Sequence, residues 1–453
     1  MAATIAAIAT PQGEGSIGVI RISGENAIKI ADKVFKSKSG KSLANVPGYT
    51  ALFGDVCSNG EAVDQAVALV FKAPLSFTGE DVVELSCHGG DFVLRKVLRL
   101  VLDSGAILAE RGEFSRRAFL NGKIDLSQAE AIMDIISADS AEALRASSEA
   151  LSGAIGKKCL EIKDNLTFAA ATIAAFSDFP DEEPEFSGID KLGKMLADSK
   201  TELQKLIDDY DTGRIIKNGI KTVIIGPPNA GKSTLMNLLS GYDRSIVTEI
   251  AGTTRDVIEE SITLDGISLR LFDTAGIHKT EDEVEKIGVG RTLEHISSAD
   301  LVLLLLDSTG DVLEQAKEIL KNVDNKNVIF VLNKNDIANV PLDKNEYSEF
   351  IKVSMSAKEG TGLKELIEAI KKIVGLENLS GKSAVYLNER QRNCALRALE
   401  SATLAEQALN SGVTMDAVGV CLDDALAALM EITGERVTVE VANKVFEHFC
   451  VGK

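Results

Sequence analysis

Four short motifs between Gly226 and Lys358, each following an apolar strand-like run, constrain this chain more than any other feature. They read Gly-Pro-Pro-Asn-Ala-Gly-Lys-Ser over 226–233, Asp-Thr-Ala-Gly over 273–276, Asn-Lys-Asn-Asp over 333–336 and Ser-Ala-Lys over 356–358. Any one alone is a weak signal. In this order, with strand patterns before them, they specify an α/β domain with a phosphate loop that binds a guanine nucleotide.

The first motif lies between Thr222-Val-Ile-Ile225 and Leu235-Met-Asn-Leu-Leu239, the strand–loop–helix context a phosphate loop requires. Glycines let the loop turn backbone N–H groups onto phosphate oxygens at a helix N-terminus. The candidate phosphate set is Asn229, Ala230, Gly231, Lys232, Ser233 and Thr234. Lys232 is placed to neutralise the terminal phosphates, and Ser233 offers a hydroxyl to Mg²⁺. A Gly-rich turn with a chance Lys-Ser leaves the later motifs unexplained. In the second motif Asp273 can hold Mg²⁺ through water, and Gly276 can sense the γ-phosphate beside Thr274 and Ala275. In the third, Asn333 and Lys334 accompany Asp336, whose carboxylate accepts two hydrogen bonds from guanine's adjacent donors; adenine cannot match both. Ser356, Ala357 and Lys358 support the base from their backbone.

Two details narrow the hydrolytic type. Ile277 follows the second motif where a Ras-like site has a water-orienting Gln, so a polar group must come from elsewhere. The acidic stretch Glu281-Asp-Glu-Val-Glu285 is one source, although charge runs are usually solvated faces. Gly252-Thr-Thr-Arg-Asp256 stands where a switch I segment is expected, and a Thr there completes a Mg²⁺ shell. Arg255, beside Asp256, reads as structurally paired rather than as an arginine finger.

At 453 residues the chain suggests about three domains. The N-terminus lacks the basic region of a signal peptide, and the most apolar run, Leu301 to Leu306, is a buried strand rather than a membrane span. Six cysteines form no Cys-x-x-Cys pair, so reduced thiols and a cytoplasmic location are expected. A net charge of −19 excludes a general nucleic-acid coat; any RNA contact uses a local basic patch or a basic partner.

Pattern divides the chain in three, an α/β multidomain protein. Residues 1–121 mix β-like runs (17–22, 66–71, 82–85) with helix 91–102 and read as an N-terminal α+β domain. Residues 122–215 and 379–453 share an Ala-rich helical texture and read as one discontinuous helical bundle. The phosphate-loop domain, 216–378, is inserted in it. The last 70 or so residues are small for a core of their own. Near the end, Cys450 followed by Val-Gly-Lys fails the prenylation pattern, and by residue type alone it reads as a small buried apolar side chain.

Over its whole length the chain resembles the tRNA-modification GTPase family MnmE, also called TrmE. The residues that carry this are 18–24 (GVIRISG), 76–81 (SFTGED), 88–90 (HGG), 112–115 (GEFS), 117–121 (RAFLN), 178–183 (DFPDEE), 250–256 (IAGTTRD), the four motifs and the terminal Cys-Val-Gly-Lys. The resemblance implies a homodimeric, K⁺-dependent Ras-like GTPase. With the flavoprotein MnmG (GidA), in a heterotetramer, it adds an aminomethyl or carboxymethylaminomethyl group to carbon 5 of the wobble uridine of certain tRNAs. The one-carbon unit comes from a tetrahydrofolate derivative, 5-formyl- or methylene-tetrahydrofolate, and no membrane is involved. It implies that the N-terminal domain binds folate and dimerises, with Arg21, Glu84, Lys123 and Lys453 as folate contacts. It places K⁺ at Asn229, Thr248, Ile250 and Thr253, Mg²⁺ at Ser233 and Thr254, GTP also against Thr248, Thr253 and Thr254, and Glu285 and Cys450 in catalytic roles. His278 departs from a relative that has Arg there.

Two other readings stand beside this one. The chain could be a regulatory GTPase switch, for example in ribosome assembly, without direct chemistry; folate binding by the N-terminal residues separates the two. Or the N-terminal domain could transfer one-carbon units by itself with the GTPase as timer; activity without MnmG separates that.

Overall fold

The structure, a computed structural model, describes all residues except 1–2, 12, 179–185, 243–258, 273–295, 297–298, 321–322, 324–326, 339–346, 376–384 and 453. Thr248, Ile250, Thr253, Thr254, Asp273, Thr274, Ala275, Gly276, Glu285 and Lys453 therefore lie outside the described residues. Two compact units emerge. One comprises Met1–Met133, Leu151–Thr201 and Asn393–Lys453; the other comprises Asp134–Ala150 and Glu202–Arg392.

In the first unit, β1 (Ile5–Ile8), β2 (Ile17–Ser23), β3 (Phe35–Ser37), β4 (Thr50–Ser58), β5 (Glu61–Phe71), β6 (Val82–His88) and β7 (Ile107–Leu108) form one sheet, ordered β3-β4-β5-β6-β2-β1-β7. All neighbours are antiparallel except β1 and β7. Period-two alternation decides the faces. On β2, Gly18, Ile20 and Ile22 are buried, so Arg21 points to the opposite face. The inner face packs against helices Ala27–Val34 and Asp91–Asp103 through Ile28, Ile30, Val34, Leu94, Val97 and Val101. The α-helical part of this unit pairs Ala154–Asp178 with Met415–Thr433. Ile155, Cys159, Ile162, Leu166, Ala169 and Ile173 are buried at the three- and four-residue spacing of a helix stripe.

The second unit is a six-stranded sheet. Its strands are β8 (Ile220–Ile225), β9 (Glu259–Leu264), β10 (Ile267–Phe272), β11 (Leu301–Asp307), β12 (Asn327–Asn333) and β13 (Ile351–Ser354), in the order β13-β12-β11-β8-β10-β9. Only the edge strand β9 is antiparallel to its neighbour. Leu301 to Leu306 are all 0% exposed, because a central parallel strand is covered on both faces. Each parallel strand ends at the same edge, where α/β sheets bind ligands. Three of the four motifs are described there, after β8, at the end of β12 and after β13; the fourth follows β10 directly in sequence. Among the described residues no helix is long and apolar enough to cross a membrane.

Candidate nucleotide site and a second site at Arg21

The phosphate loop leaves β8 at Gly226 and enters helix Lys232–Tyr242. Asn229 adopts φ +61° at its exposed tip. Gly231 takes φ +100°, and a Cβ there would lie 2.4 Å from Asn333 Nδ2, so both conformation and space require glycine. Lys232 Nζ donates to the carbonyls of Gly226 at 2.8 Å and Pro227 at 2.9 Å, which holds the ammonium over the loop. Burial pushes Lys232 below the usual lysine range; a phosphate beside it would favour the charged form. Ser233 and Thr234 are exposed in the first turn, where helix N–H groups lack intrahelical partners, while Ala230 is buried.

Asn333 joins two of the motif loops. It is 3% exposed. Its Nδ2 donates to Ala230 O at 2.7 Å, and its Oδ1 accepts from Ala357 N at 2.8 Å. One side chain thereby locks the phosphate loop to the Ser-Ala-Lys loop. Ser356 is closed into a tight turn by Ser356 N to Thr361 O, at 3.0 Å, and Gly360 N to Ser356 O, at 2.8 Å. Asp336 and Lys358 remain exposed beside this rigid frame. Lys334, at φ +67°, places its Nζ 2.5 Å from Asp307 Oδ2. Burial alone would raise Asp307. Hydrogen bonds from Lys334 and Thr309 outweigh it and hold the carboxyl below the usual carboxylate range. Asp307 was not among the sequence candidates. Its signal was present in the one acidic residue that ends the buried strand β11.

Arg21 and Glu84 face each other across β2 and β6, with Arg21 Nε 2.8 Å from Glu84 Oε1. The guanidinium lies 5.6 Å from the Phe114 ring centroid and 6.0 Å from that of Phe77. Phe114 is buried and Phe77 is partly exposed. The loop bearing Phe77 is fixed by a polar network. Arg117 Nη1 donates to both Glu80 carboxylate oxygens at 3.1 Å, Ser23 Oγ donates to Glu80 Oε2 at 2.7 Å, and Asn121 Nδ2 donates to Thr78 O at 2.7 Å. Lys123 reaches the other side of that loop, donating to Pro74 O at 2.9 Å.

The C-terminal tail comes to the same place. Helix Val439–Glu447 is capped by Thr438, and Phe446 and Phe449 bury against Leu126 and Ala129. Val451 then bridges to Arg111, Gly112 N donates to Cys450 O at 3.4 Å, and Gly452 O accepts from Arg21 Nη1 at 3.3 Å. Cys450 is exposed, against the expectation from residue type. Phe449 takes the buried position, and the chain beyond it, Cys450 and Val451, stays exposed.

The six-stranded sheet, the phosphate loop and the base-reading loops define a P-loop guanine-nucleotide-binding protein. Residues 4–123 match the family model described as GTP-binding protein TrmE N-terminus, and residues 126–450 match the MnmE helical domain. The tRNA modification GTPase MnmE of Clostridioides difficile (strain 630) is 41% identical over 455 aligned positions, covering 99% of both chains. Those of Alkaliphilus oremlandii (strain OhILAs) and Caldicellulosiruptor saccharolyticus are 40% and 42% identical, again covering 99% of both chains. The chain belongs to the MnmE family of tRNA modification GTPases, and it is a GTP-hydrolysing enzyme.

Proposed function

We propose that this chain uses GTP hydrolysis to drive addition of an aminomethyl or carboxymethylaminomethyl group to carbon 5 of a tRNA wobble uridine, together with the flavoprotein MnmG (GidA). The observation that carries the reading is the junction at Arg21, where the N-terminal sheet, two aromatic rings and the last residues of the chain meet. The domain roles follow: residues 1–121 bind folate and dimerise, 122–215 with 379–453 form the helical part, and 216–378 turn over GTP. The acidic chain, at −19, leaves tRNA contact to a local patch or to the partner.

The residues at Arg21 fit a folate derivative. A guanidinium beside two aromatic rings suits a flat ring system and the glutamate carboxylates, and Glu84 suits the pterin's donors. Lys123 and Lys453 are further folate contacts in this reading, and the exposed Cys450 thiol is the candidate nucleophile. A bound tetrahydrofolate supplies the one-carbon unit. The test is titration of the full chain with 5-formyltetrahydrofolate. Arg21→Ala should weaken binding by about 10–100-fold, the loss of one charge-assisted contact set, with GTP turnover unchanged. Wild-type affinity in the variant would remove folate from this site.

In the nucleotide site, Lys232 exchanges its loop carbonyls for phosphate oxygens, Asp336 accepts guanine's two donors, and Glu285 orients the attacking water. Ser233 and Thr254 offer the hard hydroxyl oxygens Mg²⁺ requires. Asn229, at the exposed loop tip, would hold K⁺ in this reading together with Thr248, Ile250 and Thr253, each of which can offer an oxygen ligand. Bound cations supply charge against phosphoryl transfer in place of an arginine finger. Replacing K⁺ by Na⁺ should therefore lower GTP turnover about tenfold or more, a barrier change of one decade. Equal turnover in the two salts would discard the K⁺ site.

A further inference from the structure

The nucleotide-binding unit contains a stretch of chain from outside its own sheet and helices. Residues 134–150 belong to it, although the chain on either side, up to Met133 and from Leu151, belongs to the other unit. Asp139 sits in the joint between helices Leu126–Ser137 and Ala141–Leu151. Its Oδ2 accepts from Ser268 Oγ at 2.8 Å and Ser261 Oγ at 3.3 Å, and its backbone carbonyl accepts from Thr263 Oγ1 at 3.1 Å. These three hydroxyls come from both strands of the β9–β10 hairpin. At the hairpin turn, a Cβ on Gly266 would meet the Glu142 carboxylate at 2.4 Å. Deeper in, Ala146 shares a core with Ile262, Leu264 and Ile267. The segment thus grips the hairpin from its turn to its middle.

The hairpin is the chain that joins two nucleotide-contacting motifs. β9 starts at Glu259, three residues after Asp256 of the switch I motif. β10 ends at Phe272, immediately before Asp273, and pairs in parallel with β8, which feeds the phosphate loop. A shift of the hairpin along its strand direction therefore moves the chain that enters both motifs. Misplacing reacting groups by 1 Å can cost about 10²-fold in rate.

Ser261 Oγ and Ser268 Oγ lie 3.1 Å apart and can bond each other. Within the serine pair itself only one of the two protons finds an acceptor. What Asp139 adds is a shared acceptor that ties both strands to a segment outside the sheet. We infer that Asp139 is a positioning residue for GTP hydrolysis, acting through Ser261 and Ser268 on the β9–β10 hairpin, and that the same clasp transmits the nucleotide state to residues 134–150. A nucleotide state that shifts the hairpin thereby shifts the segment clasped to it.

The test uses the full chain with K⁺ and Mg²⁺. In Asp139→Ala and in the double variant Ser261→Ala/Ser268→Ala, kcat for GTP should fall about tenfold. The Kd for GDP should stay within about twofold, because the phosphate and base loops keep their own hydrogen bonds. Asp139→Asn, which keeps an acceptor oxygen, should recover most of the rate; a role limited to packing gives no such split or rescue. Hydrogen exchange of residues 134–150 should differ between GDP and GDP with aluminium fluoride in the wild type, and that difference should vanish in both variants. If Asp139→Ala melts early, the double serine variant, which retains the carboxylate, decides. Wild-type kcat in that double variant, or exchange of 134–150 that ignores the nucleotide, overturns the inference.

Discussion

Asp336→Asn should weaken GTP binding by about 10²–10⁴-fold and let xanthosine triphosphate compete with GTP. In the proposed site the Asp336 carboxylate accepts two hydrogen bonds from guanine, each of the charged type that contributes about 1.5–3 kcal/mol. Asparagine has one acceptor oxygen and an amide that donates, which clashes with a guanine N–H but suits xanthine's carbonyl. The frame around position 336 is rigid: Asn333 is buried and holds Ala230 and Ala357, and Ser356 is locked by its turn. The substitution therefore changes the hydrogen-bond pattern without moving the loop. Competition between GTP and xanthosine triphosphate, with the phosphate loop unaltered as internal reference, reads the effect. A variant that still prefers GTP as strongly as the wild type would mean that another residue reads the base.

Glu285→Ala should cut kcat by about 10²–10⁴-fold, the range for loss of a positioned group that orients or deprotonates water, while GTP affinity stays near wild type. The reason lies in what is missing from the second motif. Ile277 cannot hold a water by hydrogen bonding, so the orienting group must come from elsewhere, and Glu285 is the acid at the matching place in the family resemblance. A residue that acts only in the hydrolytic step changes kcat without changing ground-state binding. Unchanged turnover in this variant would return the 281–285 stretch to a solvated charged face. Parallel losses in affinity and rate would make it a binding residue.

The nucleotide half of the molecule was legible because its chemistry is local. A phosphate loop needs a strand before it and a helix after it, and the residues that touch phosphate are contiguous. The continuous apolar run at Leu301 to Leu306 could be read as a covered strand for the same reason, since a parallel strand buries both faces. Asn333 illustrates the limit. Its presence in the third motif was plain, but its two bonds, to Ala230 and Ala357, join loops 103 and 24 residues away.

The second site was legible only through family resemblance. Arg21 and Gly452 are separated by 431 residues, and no periodicity relates them. Phe77 and Phe114 carry no signal of their own, because an aromatic residue beside a loop is more often core. Cys450 was misjudged by residue type, since burial statistics ignore that Phe446 and Phe449 had already taken the buried positions in the tail. Asp139 shows the same limit: an Ala-rich texture reveals a helical region around position 140, but neither the joint at Asp139 nor which core the following helix joins. Its partners, Ser261 and Ser268, are ordinary strand serines until the hairpin brings them to one carboxylate.

In the proposed function, GTP turnover by this chain serves modification of carbon 5 of the tRNA wobble uridine. The most direct measurement is mass-spectrometric analysis of nucleosides from bulk tRNA of cells lacking the chain, compared with cells complemented by the wild type. The aminomethyl-type 5-substituted uridines should be lost in the deletion and return on complementation. A full complement of those nucleosides in cells without the chain would contradict it.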